Sequence, residues 1–212
     1  MAKGIVGKKP GGGMTGRIIV TDPTAGDGSG RIDDGGAAPN LVLGQVVDYT
    51  EVDASVVGDV VDFQYDGRSA SHLNTVSKAV VITGVYQPDI TINKGETVLL
   101  MAATLNGVLI TNNGGCLTVI DNTVIKGRIV SAVDGSCSVI SDGTQMNGNF
   151  EFSGASSFSM NNSSTQGSIE SNGNNYASVV GCTIKGNLDV LNAKVCNCSG
   201  NTVSGRTNTP GC

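Results

Sequence analysis

Glu151, Glu170 and Asp189 each stand three residues after a glycine, and those glycines, Gly148, Gly167 and Gly186, are spaced 19 residues apart. If each interval is one coil of a stacked structure, the carboxylates share one outward column, about 4.8 Å between neighbours and about twice that between the outer two. Separations of that order are used by paired-carboxylate glycosidases, where one group donates a proton and the other attacks or activates water. Carboxylates so close also repel, and a raised pKa or a bound cation such as Ca2+ would relieve them. The simpler reading is three acids on a solvated face with Arg128 and Lys185 nearby. No aromatic platform for a sugar ring accompanies them, because strand alternation turns Phe150 and Phe152 inward and Tyr176 stands by itself.

The six cysteines, Cys116, Cys137, Cys182, Cys196, Cys198 and Cys212, are the second reactive set. Cys182 falls four residues before its repeat glycine, where other repeats carry Thr123, Thr144, Ser163 and Asn201, and so reads as a small core residue. Cys196-x-Cys198 with Cys212 close behind leaves a terminal disulfide or a metal clasp open. A zinc site usually takes four ligands, and the single histidine, His72, lies in the other half of the chain. Without a signal-peptide segment, residue usage favours buried thiols. His72 sits in Ser71-His-Leu-Asn with no accompanying nucleophile triad, and neither Gly-rich stretch opens a helix as a phosphate loop does. Lys3, Lys8, Lys9 and Arg17 form a basic stretch without an acid, backed by Pro10-Gly-Gly-Gly. That composition predicts a flexible arm over residues 1–17 that docks on a partner. Four charges on such a tether would hold nucleic acid only weakly and with strong salt dependence, so specific nucleic-acid binding is not expected.

What positions these groups is a repeat. Gly107, Gly127, Gly148, Gly167, Gly186 and Gly205 follow one another at gaps of 20, 21, 19, 19 and 19 residues. Their surroundings are alike: Leu105-Asn-Gly-Val-Leu-Ile, Ile125-Lys-Gly-Arg-Ile-Val, Met146-Asn-Gly-Asn-Phe-Glu, Ile184-Lys-Gly-Asn-Leu-Asp. Apolar residues alternate around each glycine with the two-residue period of a strand buried on one face. A second inward pair precedes the later glycines, Phe158 and Met160, Ala177 and Val179, Cys196 and Cys198. Asn112-Asn113-Gly-Gly, Asp134-Gly, Asn172-Gly and Asn192 supply corners that accept positive φ. A unit of this size buries its apolar face only by stacking on its neighbours.

These coils resemble those of right-handed parallel β-helix proteins of bacteria and viruses, over residues 84–205. The resemblance implies an all-β chain whose residues 79–212 form a single-chain β-solenoid of about six coils with a C-terminal cap at residues 206–212. Residues 18–78 carry ten acids against three bases and short strand-like runs, which predicts a small barrel. Gly16-x-Ile, Gly28-Ser-Gly-Arg-Ile32, Asp33-Asp-Gly-Gly, Val47-Asp-Tyr-Thr-Glu-Val and Gly58-Asp-Val-Val-Asp-Phe resemble, in order, the cold-shock type of OB barrel, with Gly16 opening the first strand. Ser29 and Arg31, and Ile18 and Ile19, stand where that family places base-stacking aromatics. An acidic barrel without such a platform is expected to be a scaffold.

A barrel and a solenoid behind a basic arm resemble the arrangement of phage spike and baseplate-hub proteins. That resemblance implies a non-catalytic virion component, assembled in the host cytoplasm, with other virion proteins and further copies of the chain as partners. An adhesin-like or glycan-binding solenoid meeting a host surface glycan or receptor is the second reading, at a cell surface, and a polysaccharide-cleaving enzyme the third. The chain has no run of about 18 apolar residues for a helical membrane span.

Overall fold

The computed structural model describes residues 2–11, 15–22, 41–50, 56–154 and 156–212. The chain divides into two compact units, Met1–Val80 and Val81–Cys212. The described residues are all β and turn, without a helix, and so none is long and apolar enough to cross a membrane.

The first unit is a closed barrel of five strands: β1 (Ala2–Lys8), β2 (Gly16–Asp22), β3 (Val46–Tyr49), β4 (Asp59–Tyr65) and β5 (Ser69–Lys78), in the order β1-β2-β3-β5-β4. All neighbours are antiparallel except β3 and β5, which run parallel. Ala2, Val6, Ile18, Val20, Val47, Tyr49, Val61, Phe63 and Ala70 fill the interior. The segment expected to be a flexible arm is corrected here, since Ala2–Lys8 is a barrel strand paired on both sides. Its apolar residues are few, but Ile5 and Val6 are fully buried. Gly4 lets the strand lie tight against β2: a Cβ there would collide with the Ile18 side chain and would sit 2.8 Å from the Ile19 carbonyl oxygen. Gly16 therefore opens the second described strand rather than the first. Ile18 and Ile19 are buried, so neither stands on an exposed stacking face. The strand expected at residues 28–32, with Ser29 and Arg31, and the Asp33-Asp-Gly-Gly turn lie outside the described residues.

The second unit is a parallel β-solenoid of about eight turns. Its first half comprises β6 (Val80–Tyr86), β7 (Ile90–Asn93), β8 (Thr97–Asn113), β9 (Cys116–Ile120), β10 (Val124–Ser131) and β11 (Cys137–Ile140). From there a regular three-strand coil takes over. It runs β12 (Gln145–Met146), β13 (Phe150–Ser153), β14 (Ser157–Asn161); then β15 (Ser164–Thr165), β16 (Ile169–Asn172), β17 (Tyr176–Val180); then β18 (Thr183–Ile184), β19 (Leu188–Leu191), β20 (Val195–Ser199); and it closes with β21 (Thr202–Val203) and β22 (Thr207–Asn208). In these later coils each strand pairs in parallel with the strand three places on, as in Phe150↔Ile169↔Leu188↔Thr207.

The six coils counted from glycines fall short because the earliest turns are built without that spacing. Ile90, Ile92, Val98 and Leu100 continue the same buried core ahead of Gly107. Inside, Phe150, Phe152 and Phe158 stack, with centroids 5.8 and 4.3 Å apart. Gly154 (φ +67), Gly173 (φ +71) and Asn192 (φ +54) turn successive coils at one left-handed corner.

The glycine column has a different cause. Gly127, Gly148, Gly167, Gly186 and Gly205 have no positive φ, but a Cβ on any of them would strike the backbone one coil back, lying 2.6 Å from the Gly186 carbonyl oxygen in the case of Gly205. Backbones touch there directly, and Gly186 and Gly205 donate to the preceding glycine carbonyls at 3.2 Å.

Candidate functional site

The acid column forms in register: Glu151 pairs with Glu170 and Glu170 with Asp189 on successive coils. Its ends are neutralised by arginines from flanking coils. The Arg128 guanidinium lies 3.0 Å from a Glu151 carboxylate oxygen, and the Arg206 guanidinium donates to both Asp189 oxygens at 3.0 Å. Arg128 and Arg206 occupy the position directly after their repeat glycines, where the coils between carry Asn149, Ser168 and Asn187. These three accept from the next coil's backbone or side chain: Asn149 from the Ser168 amide, Ser168 from the Asn187 amide and Asn187 from the Arg206 amide. Glu170, in the middle, is exposed. The sequence placed Arg128 near the column; the clamp by Arg206, which follows the last repeat glycine, came from the register.

The basic residues do not act as one tether. Lys8 and Arg17 are cross-strand partners at one end of the β1–β2 ladder and both are exposed, with exposed Lys9 beside them. Lys3 is at the other end of β1, with its ammonium 4.0 Å from an Asp62 carboxylate oxygen. His72 is exposed on β5 in a left-handed conformation (φ 53), with Ser71 Oγ 3.2 Å from Nδ1.

The cysteines depart most from expectation. Cys116 and Cys137, register partners on β9 and β11, form a disulfide between adjacent coils with Cα atoms 4.6 Å apart, and Cys196 is bonded to Cys212 with Cα atoms 4.8 Å apart. Cys116 and Cys137, expected as buried thiols, are therefore paired, and Cys196–Cys212 is a terminal disulfide of the kind the sequence left open. Parallel in-register stacking brings Cα atoms within disulfide reach, and a separation of 21 residues is one coil. That one-coil spacing is the signal in the sequence that points to the pair.

Cys182 is the buried thiol expected. It is 1% exposed and directs its Sγ at the carbonyls of Val180 and Met160, at 3.3 and 3.4 Å. Thr123, Thr144 and Ser163 in the same column bond back to a nearby carbonyl at 2.7, 2.7 and 2.8 Å, so the thiol replaces a hydroxyl in a corner-closing role. Burial pushes the Cys182 thiol above its ordinary value. Cys198, the other free thiol, is half-buried, and burial pushes it up to about 11. Its Sγ lies 2.7 Å from Cys212 Sγ and 3.8 Å from Cys196 Sγ. The three sulfurs, all within 4.8 Å of one another, gather at the last coil.

A shallow open groove of about 570 Å³ follows the glycine column over the earlier coils, lined by Gly107, Leu109, Lys126, Gly127, Arg128, Asn147, Gly148 and Asn149 among others. It exists because the column lacks side chains while the flanking positions carry long ones. Comparison with known protein families, with curated proteins and with solved structures finds no match to this chain.

Proposed function

We propose that this chain is a non-catalytic structural component of a virion or injection machine, in which the barrel anchors the protein and the solenoid serves as a projecting shaft. The observation that carries this reading is the way the coils are fastened. Backbone meets backbone along the glycine column, a disulfide joins adjacent coils, and arginines clamp the charged column at both ends. Such features resist unwinding. An unpaired, hydrated carboxylate pair would be the mark of a hydrolase, whereas here Glu151 and Asp189 are each held by a guanidinium.

The barrel supports the same reading. A closed barrel of five strands with one parallel pair is compatible with the OB-type reading, which is retained as part of this proposal. We read it as a scaffold, because its second strand buries Ile18 and Ile19 where single-strand binders expose stacking surface. Lys8, Lys9 and Arg17 form a basic corner suited to an acidic neighbour in the particle. Two disulfides fit a protein that works outside the reducing cytoplasm in which it is made and leaves by lysis.

The test is to separate intact particles of the source by density gradient and probe them with an antibody to the chain. Co-sedimentation with capsid or tail proteins supports the proposal; confinement to the soluble fraction of lysed cells overturns it. The groove beside Lys126, Arg128, Asn147 and Asn149 favours a second reading, a glycan-binding solenoid. Specific capture on a glycan array, lost in Lys126→Ala, would support it. Hydrolysis of a polysaccharide that disappears in Glu170→Gln would instead show an enzyme.

A further inference from the structure

Cys196 and Cys198 alternate on β20 so that both face the same side, and their partners one coil back, Ala177 and Val179, are fully buried core residues. Both sulfurs are therefore inward-facing groups of the last complete coil, packed against the apolar core yet only half-buried. After β22 the chain turns at Thr209-Pro-Gly-Cys, with the Cys212 amide donating to the Thr209 carbonyl at 3.2 Å and Gly211 at φ +92. This turn returns Cys212 to β20. It meets two sulfurs there, bonded to Cys196 and 2.7 Å from Cys198.

We infer that the Cys196–Cys212 disulfide is a two-position latch in which Cys212 exchanges between Cys196 and Cys198. The Cys198 thiolate attacks Cys212 Sγ; the Cys198–Cys212 bond forms as the Cys196–Cys212 bond breaks, and Cys196 leaves as a thiolate that takes up the proton Cys198 lost. One disulfide and one thiol are present before and after, so no oxidant or reductant is needed. The two acceptor sulfurs are 3.8 Å apart, and the residue that must move is exposed and follows a glycine in a left-handed turn. Cys182 takes no part, because it lies on another strand connection with its Sγ directed at backbone carbonyls.

Burial keeps the Cys198 thiol protonated at neutral pH, so exchange is slow there and accelerates with the thiolate fraction, about tenfold per pH unit below the thiol pKa. The latch keeps the turn at Thr209–Cys212 tied to β20 whichever sulfur carries the bond, and leaves one half-buried thiol on β20 in either state.

The test uses the full chain, oxidised, incubated at pH 7 and at pH 9, quenched in acid and mapped by mass spectrometry after alkylation and tryptic digestion. Cleavage after Lys194 and Arg206 puts Cys196 and Cys198 on one peptide and Cys212 on another, so fragmentation shows which sulfur carries the link. Both isomers at pH 9, reached faster than at pH 7, support the inference. A single Cys196–Cys212 isomer after prolonged incubation at pH 9 overturns it. Cys196→Ser should keep the two peptides linked through Cys198. A free Cys212 thiol in that variant, with the Cys116–Cys137 link intact as a check on folding, also overturns it.

Discussion

At the scale of single residues, glycine carries two separate functions that sequence spacing merges. Gly154 and Gly173 serve left-handed corners, whereas the repeat glycines from Gly127 onward are required by contact between neighbouring backbones. Gly148→Ala should therefore force β12 and β13 apart from β10, and overpacking of this kind costs about 1 to 3 kcal/mol; chemical denaturation with a fluorescent dye or circular dichroism measures it. Gly135→Ala meets no neighbour on the Cβ side but sits at φ +79, so it should cost about 1 to 2 kcal/mol through backbone strain alone. Cys182 offers a pH test. Its thiol is raised by burial, so its contribution to stability is complete below the ordinary thiol pKa of about 8.5 and declines as pH climbs through the higher folded value. Cys182→Ser keeps the donor that Ser163 supplies one coil earlier and removes the ionisation. Thermal melts should then show a smaller loss between pH 8 and pH 10 in the variant than in the parent, and equal losses would contradict the assignment.

At the scale of elements, the coils are links in a one-dimensional stack, each stabilised by its own core and by its two neighbours. Leu188 is buried at the start of β19, stacked between Ile169 and Thr207. Leu188→Asp puts a charge among Ile169, Ile184 and Val190, and the coils beyond it should release first. Limited proteolysis should cut C-terminal to Gly167 while the earlier coils persist, and a pattern unchanged from the parent would argue against sequential stacking. The period, the strands, the inward Phe150 and Phe152 and the acid column were legible because a two-residue alternation around a fixed glycine leaves little freedom of register. β1 was not legible: two lysines, two glycines and three small or branched apolar residues look like a tail until Gly4 is seen packed on Ile18.

For the whole molecule, the chain's two compact units have separate hydrophobic cores, which predicts separable unfolding. Phe63→Ala empties a fully buried ring site in the barrel, a change that costs about 3 to 5 kcal/mol. Calorimetry should show one transition lowered by it and the solenoid transition unmoved; a single transition that shifts as a unit would mean the two fold together. The separate cores suit the proposed division of labour, with anchoring and projection assigned to different parts of one chain. The cysteines bear on this scale too. A disulfide between adjacent coils and another joining Cys212 to β20 are compatible with the shaft proposed above.

The sequence by itself determined the parallel stack, since a near-constant period with alternating apolar residues has no other way to bury its face, and it determined which carboxylates would align. The tertiary structure decided what lies next to them. Arg206 on Asp189 and Cys212 beside both Cys196 and Cys198 are contacts between coils or across a returning segment, and contacts of that kind depend on register in three dimensions rather than on spacing along the chain.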